Sequence, residues 1–328
     1  MGARRMSGPA IRPVPRRFAD ESLALAREAG VLAVEAIGEE QDGIVNREQV
    51  YQLGLDRHDI SREVRRGRWR LVGRFAIAMH RGPLDDRAMW RRAVAEIGPD
   101  AALDGVTSLV RWGLTGYIDS IHASVPHGSQ PNRVSDVTVH EVCDWRDGDV
   151  IDGDIPAVRP ALATLRAATW ARTPRQTALL IVLPVQQRLV RTDELFDLMS
   201  RWRRMRRRGL IKSVIADAAD GAHSMGELDF ARECRRRHLP RPSRQVVRQG
   251  PNGRWYLDVY FDEFEVVVEI EGIHHTEPLN AIDDTIRQND ITIGVGGVLR
   301  ITVLGWRLHR EQYMGQVERM LGARGWTR

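Results

Sequence analysis

At 328 residues, 42% hydrophobic and 28% charged, the chain is long enough for two or three domains with separate cores, which excludes a single small module. Its longest stretch without charge or strong polarity, near TALLIVLPV at 177–185, is too short to span a bilayer. Cys143 and Cys234 lie far apart with no CxxC pair, which removes zinc ribbons and disulfide scaffolds. The net charge is +5, and Lys212 is the sole lysine among the basic residues, an arginine bias that suits phosphate recognition. In chain order, MGARRMSGPAIRPVPRR is basic without an apolar centre or cleavage pattern, so residues 1–16 are expected to be a disordered arm and the protein cytoplasmic.

Residues 18–43 have helical spacing, closed by Gly43. Asn46 is placed to cap a short helix ending near Gly54, and Asp56 to cap a second with Ile60 and Val64 one turn apart and Gly67 as its stop. RWRLV and FAIAM around Gly73-Arg74 then read as a β-ribbon. Helix, helix, ribbon is the order of a winged helix-turn-helix, expected over 17–83. Seven arginines stand against two acids between 57 and 74. Arg57, Ser61, Arg62 and Arg65, with His58, fall away from Ile60 and Val64, and Arg66, Arg68, Arg70 and Arg74 continue the charge into the wing. Double-stranded DNA is the expected partner of this face; the plain alternative is a solvated charged helix.

A mixed α/β segment is expected over 84–198, with helices near 86–97 and 103–116, short strands around VSDVTVHEV and IPAVRPALATLRAATW, and a helical stretch after them. Its histidines, His122, His127 and His140, are scattered and form no constellation. A basic helical linker is expected over 199–223, where six arginines and Lys212 occur between 199 and 212 without an acid and Trp202 and Met205 supply a packing face.

Residues 224–323 read as α-β-β-β-α-β-α, within a C-terminal domain over 224–328. A turn centred on Asp262 and Glu263 sets Asp258 opposite Val267, with Glu269 as its diagonal neighbour. Glu271 shares the face of Glu269, and Val268 and Ile270 point into the packing. Carboxylates repel by about 4 kcal/mol per pair at 4 Å and an effective dielectric of 20, so this cluster calls for a cation. Oxygen ligands favour Mg2+ or Mn2+; His274 and His275 also admit zinc, and a strand end left in water needs no metal at all.

Asp258, ten further residues, then Glu269-Ile270-Glu271, with Glu227 on the preceding helix, resembles a PD-(D/E)XK nuclease core. EIEGIHH, DTIRQND and GGVLRITVLGW together resemble the subfamily related to very-short-patch-repair endonucleases, over about residues 220–323. The resemblance implies that Asp258 and Glu269 bind Mg2+ or Mn2+ with support from Glu227, that His275 acts as general base or acid, and that Arg300 or Arg287 stabilises charge on phosphorus. Glu271 stands where the wider superfamily has lysine. Residues 40–190, with GLTG and the wing, resemble AbiEi-type antitoxin proteins, which bind promoter DNA; this implies a cognate toxin or self-association.

The sequence thus predicts a multidomain α/β protein: an N-terminal winged helix-turn-helix, a mixed middle segment and a PD-(D/E)XK restriction-endonuclease-like domain. The function expected is a DNA-binding, divalent-metal-dependent endonuclease; the alternative is an antitoxin-like transcriptional repressor with an inactive nuclease-like domain, and no membrane association is expected.

Overall fold

A computed structural model of the chain describes residues 16–202, 205–219, 230–249, 255–271, 280–295 and 297–327. The architecture is mixed α/β, and the chain divides into two compact units. The first takes in residues up to Ala102 together with Ala123–Cys143 and Asp152–Pro156; the second holds the remainder. Among the described residues no helix is long and apolar enough to cross a membrane.

The first unit begins with helix α1 (Arg16–Glu40). Its Val31 and Val34 are buried with Val45, Val50, Leu55, Ile60, Trp69 and Ile77 in one core. The chain reverses through Asp42 and Gly43, both left-handed at φ 51° and 76°, into strand β1 (Ile44–Asn46), an element not predicted. Asn46 caps α2 (Arg47–Gln52) and Asp56 caps α3 (Arg57–Arg66), each through a reciprocal box with Gln49 and Asp59. Gly67, at φ 77°, ends α3 in the left-handed conformation that favours glycine. The ribbon is β2 (Arg70–Leu71) against β3 (Ala76–Ala78), and β1 adds a third strand to give the order β1-β3-β2. Helix α4 (Asp86–Ile97) follows, capped by Asp85.

Three short strands come next: β4 (Ala102–Leu103), followed after α5 (Gly105–Arg111) by β5 (Ile121–Pro126) and β6 (Val137–Val142). In the second unit β7 (Val150–Ile151) lies antiparallel to β8 (Ala157–Val158). PALATLRAATW, expected as strand, is instead helix α6 (Pro160–Trp170). Pro160 occupies its first turn, where no amide is needed, and alanine and leucine dominate the rest. Helices α7 (Pro174–Gln186), α8 (Thr192–Arg201) and α9 (Arg208–Ala219) follow.

The basic segment is not one continuous helix: α8 ends at Arg201 with Trp202 as its cap, and Arg207 and Arg208 turn inward while Arg201 and Arg206 stay exposed. Arg207 donates to Ala171 O at 2.7 Å and Arg172 O at 2.6 Å, and Arg208 donates to Met199 O at 2.8 Å. The last carbonyls of a helix have no partner within it, and these guanidinium groups supply one.

Helix α10 (Phe230–Arg236) leads into strands β9 (Arg244–Gln249), β10 (Trp255–Phe261) and β11 (Val266–Glu271). Then come α11 (Asn280–Val295), β12 (Val298–Thr302), α12 (Val303–Leu308) and α13 (Arg310–Ala323). The sheet order is β12-β11-β10-β9, antiparallel except for the parallel β11–β12 pair. The expected last strand is shorter than its sequence suggested, because the Thr302 side chain accepts the Gly305 amide at 2.9 Å and starts a helix at Val303.

One face of this sheet is apolar. Val259, Phe261, Val268, Ile270, Leu299 and Ile301 are buried, and Phe230 stacks 5.2 Å from Trp306 with its edge to Phe261 at 6.4 Å. The acidic residues occupy the other face.

Candidate functional site

Strand alternation alone puts Asp258, Tyr260, Glu269, Glu271 and Arg300 opposite the apolar residues. The register decides which of them meet. Asp258 pairs directly with Glu269 on β11, and Glu269 pairs with Arg300 on β12, so one row across three strands reads acid, acid, arginine. This corrects the expected diagonal arrangement with Asp258 opposite Val267. The chain crosses from β10 to β11 by a 3-10 turn at Asp262–Phe264 that ends on Glu265 in the left-handed conformation at φ 53°. The loop is therefore 262–265, one residue later at each end than the expected 261–264, and the register moves by two. Directly opposed positions bring side chains closer than diagonal ones, so the two carboxylates stand nearer than the sequence implied.

Burial falls along the row. Asp258 is 6% exposed, the Glu269 side chain 14% and the Arg300 side chain 60%. Tyr260, two residues along on the same face, donates its hydroxyl to Asp258 Oδ2 at 3.5 Å, and the Arg244 guanidinium lies 4.0 Å from the Tyr260 ring centroid. Arg300 Nε stands 3.4 Å from Glu269 Oε2. The row thus presents carboxylate oxygens at its deep end and a guanidinium at its open end.

A residue that sequence reasoning missed fixes that open end. Asn289 on α11 is 1% exposed; its amide nitrogen donates to Arg300 O at 2.6 Å, and its oxygen accepts the Arg300 amide at 2.8 Å. The side chain bonds the Arg300 backbone as a neighbouring strand would. Gln316 Oε1, 3.1 Å from the Asn289 nitrogen, holds it in place. The signal was in the spacing: Ile282, Ile286 and Asn289 recur at helical intervals, and an amide on an apolar stripe needs a partner.

Arg287 is exposed on α11 and pairs with Asp284 at 3.3 Å, whereas Arg300 lies in the row. Glu271 shares the face one pair farther along, opposite Tyr256. Glu227, His274 and His275 lie outside the described residues. Among the described residues no three His, Cys, Asp or Glu side chains converge to hold a metal ion.

On the basic helix the arginines divide into two groups. Asp59 and Glu63 are buried, and they hold Arg62, Arg66 and Arg68: Arg62 pairs with Asp59, Arg66 Nη1 lies 3.2 Å from Glu63 Oε1, and Arg68 meets Glu63 Oε2 at 2.6 Å. Arg70 donates to Gly82 O at 2.8 Å. Arg62, Arg66, Arg68 and Arg70 thus carry partners within the chain, because the two acids sit at the helix's inner edge and draw long side chains towards them, although Arg66 stays more than half exposed. Arg57, Ser61, Arg65 and Arg74 are exposed, the last stacked 5.1 Å from the Phe75 ring.

No protein-family model matches the chain, and neither does any curated protein. Among solved structures the chain is similar to the crystal structure of the RV2827C protein from Mycobacterium tuberculosis. The identity is 17% over 59% of this chain and 78% of that one, with a TM-score of 0.41, too slight a likeness to bear on function.

Proposed function

We propose that the chain is a DNA-binding, divalent-metal-dependent endonuclease, with its site at Asp258, Glu269 and Arg300. The direct pairing of Asp258 with Glu269 carries the proposal. Two carboxylates from adjacent strands fit Mg2+ or Mn2+, which accept oxygen ligands and keep several waters, so one or two protein ligands suffice. A cation held there supplies Lewis-acid stabilisation at phosphorus and a water acidic enough to react at neutral pH.

The chain's own residues do the rest. Asp258 and Glu269 hold the cation, the Tyr260 hydroxyl orients the Asp258 carboxylate, and Arg300 offers a planar donor pair to a phosphate oxygen. In keeping with the nuclease resemblance, Glu227 is assigned to support the site and His275 to exchange the proton. Glu271 takes the place of the superfamily lysine, which leaves Arg300 as the principal fixed positive charge of the row. The winged helix over 17–83 holds double-stranded DNA through Arg57, Ser61 and Arg65, and the antitoxin-like segment 84–198 and linker 199–223 join it to the nuclease-like domain over 224–328.

A repressor with an inactive nuclease-like fold is the second reading. The observation in its favour is the Arg300–Glu269 contact, which neutralises Glu269 without a metal. Incubation of supercoiled, linear and mismatched DNA with the purified protein in Mg2+, Mn2+ or EDTA separates the two. Metal-dependent cutting lost in Glu269→Ala supports the nuclease. DNA binding without cutting in any condition supports the repressor.

A further inference from the structure

The first unit contains a cleft that neither the acidic row nor the basic helix uses. Its walls are the turn after α1, the start of α2, one side of α4 and the segment before β8, all within that unit. The cleft holds about 290 Å³, at the lower end of the range that accepts small-molecule ligands.

One wall is built of carboxamides whose orientation the backbone fixes. The Asn46 amide donates to Gln49 Oε1 at 2.9 Å, so the other arm of Gln49 is its nitrogen, which donates to Gln41 Oε1 at 3.2 Å. The Glu48 amide donates to Asn46 Oδ1 at 3.1 Å. The three carboxamide oxygens are thereby spent. Each nitrogen keeps N–H groups that meet no acceptor among the described residues: both on Gln41 and on Asn46, and one on Gln49. All three side chains are half-buried and line the cleft, so the wall offers donors and calls for acceptors.

The charges in the cleft say what kind of acceptor fits. Arg91, 9% exposed, donates from Nε and Nη2 to Asp42 Oδ2 at 3.1 and 2.8 Å and from Nη1 to Asp154 O at 2.6 Å. A guanidinium committed in this way has little left for an anion, and the exposed Glu48 carboxylate on the same lining repels one. The other walls are apolar: Val94 and Ala95 lie on the side of α4 that carries Arg91, one turn along, and Ile155 and Pro156 follow Asp154.

We infer that this cleft binds a neutral, flat heterocycle bearing carbonyl acceptors and N–H donors, a nucleobase or its nucleoside. The amide nitrogens of Gln41, Asn46 and Gln49 donate to the carbonyl and ring-nitrogen acceptors, and Glu48 accepts an N–H. The ring lies against the apolar walls. A nucleotide binds more weakly than its nucleoside, because no uncommitted cation lines the cleft to meet a phosphate.

Titration calorimetry of the full chain tests this, with adenosine, guanosine, cytidine, uridine and thymidine each compared with its 5′-monophosphate. EDTA is present throughout, so that no metal ion at Asp258 and Glu269 recruits a phosphate. The expected result is saturable binding of at least one nucleoside, one per chain, with a dissociation constant below about 1 mM and a monophosphate about tenfold weaker or more. Gln41→Met removes donors from a side chain that holds no backbone group. Gln49→Glu keeps an acceptor for the Asn46 amide, as a capping box allows, and removes its N–H groups. Each should weaken the nucleoside about tenfold with an unchanged melting temperature. Should Gln49→Glu fail to fold, Gln41→Met alone decides. No binding of any nucleoside at about 2 mM overturns the inference. So does an affinity that Gln41→Met leaves unchanged, which would place the nucleoside elsewhere on the chain, or a monophosphate that binds more tightly than its nucleoside.

Discussion

Glu96 shows how one buried side chain can set a loop. Its carboxylate, 7% exposed, accepts the amides of Arg74, Phe75 and Ala76 at 2.8, 2.7 and 2.6 Å, and a Cβ at Gly73 would meet it at 2.3 Å. It therefore closes the ribbon turn from 20 residues away. Glu96→Ala leaves those amides unmet and should cost about 2–4 kcal/mol, read by urea unfolding. Asn289→Ala removes both bonds to the Arg300 backbone and should cost about 2–3 kcal/mol; in the proposed enzyme it lowers turnover while leaving DNA affinity unchanged. Glu233 gives a pH signature. Hydrogen bonds from Arg236 foremost, with Arg237 adding to them, hold its carboxyl at about 2 against the upward push of burial. A lowered pKa contributes stability above the ordinary 4.5 that is lost as pH falls towards 2. Glu233→Gln should remove about 2 kcal/mol at neutral pH, a figure discounted because Arg236 is more than half exposed. The variant's stability should also vary less between pH 4.5 and 2 in acid titrations of unfolding.

The helix Arg57–Arg66 and the β10–β11 hairpin decide what the elements can do. Arg57→Ala and Arg65→Ala should each weaken DNA binding and reduce the slope of affinity against salt by about 1, with no change in melting temperature. Arg62→Ala and Arg68→Ala should instead lower the melting temperature, because each strips a partner from buried Asp59 or Glu63. Equal effects of both pairs on DNA binding would contradict the division. Much of this helix and the one before it was legible in sequence: Asn46 at the start of α2, and Asp56 and Gly67 at the two ends of α3, act on neighbours within a turn, so their capping roles follow from local chemistry. The pull of Asp59 and Glu63 on the arginines was not legible, since composition counts charges and does not say which way a long side chain folds. In the hairpin, the period of two placed Asp258 and Glu269 on one face, but the register depended on Glu265 adopting a left-handed conformation that its residue type does not announce. Asn289 and Glu96 act across many residues of sequence and left only a weak trace.

At the scale of the whole molecule, two units with their own cores and interleaved sequence segments account for the mixed reading of the middle of the chain, where the two-residue strands β4, β7 and β8 offer no period to detect. The second unit buries an ion pair, Arg166 with Asp104 at 2.7 Å, and the guanidinium lies 5.7 and 5.9 Å from the Trp145 and Trp202 rings. Arg166→Ala strands a buried carboxylate and should cost about 3–5 kcal/mol. Separate cores are expected to melt in separate steps, so calorimetry should find Glu96→Ala and Arg166→Ala acting on different transitions.

The central proposal is that the Asp258–Glu269 pair is a metal centre, and it can be tested without knowing which DNA is cut. Mn2+ titration of the full chain, followed by electron paramagnetic resonance with Mg2+ as competitor, should find a site whose affinity falls about 10- to 100-fold in Asp258→Asn and in Glu269→Gln. Equal Mn2+ binding by wild type and both variants, or none at millimolar Mn2+, would contradict it.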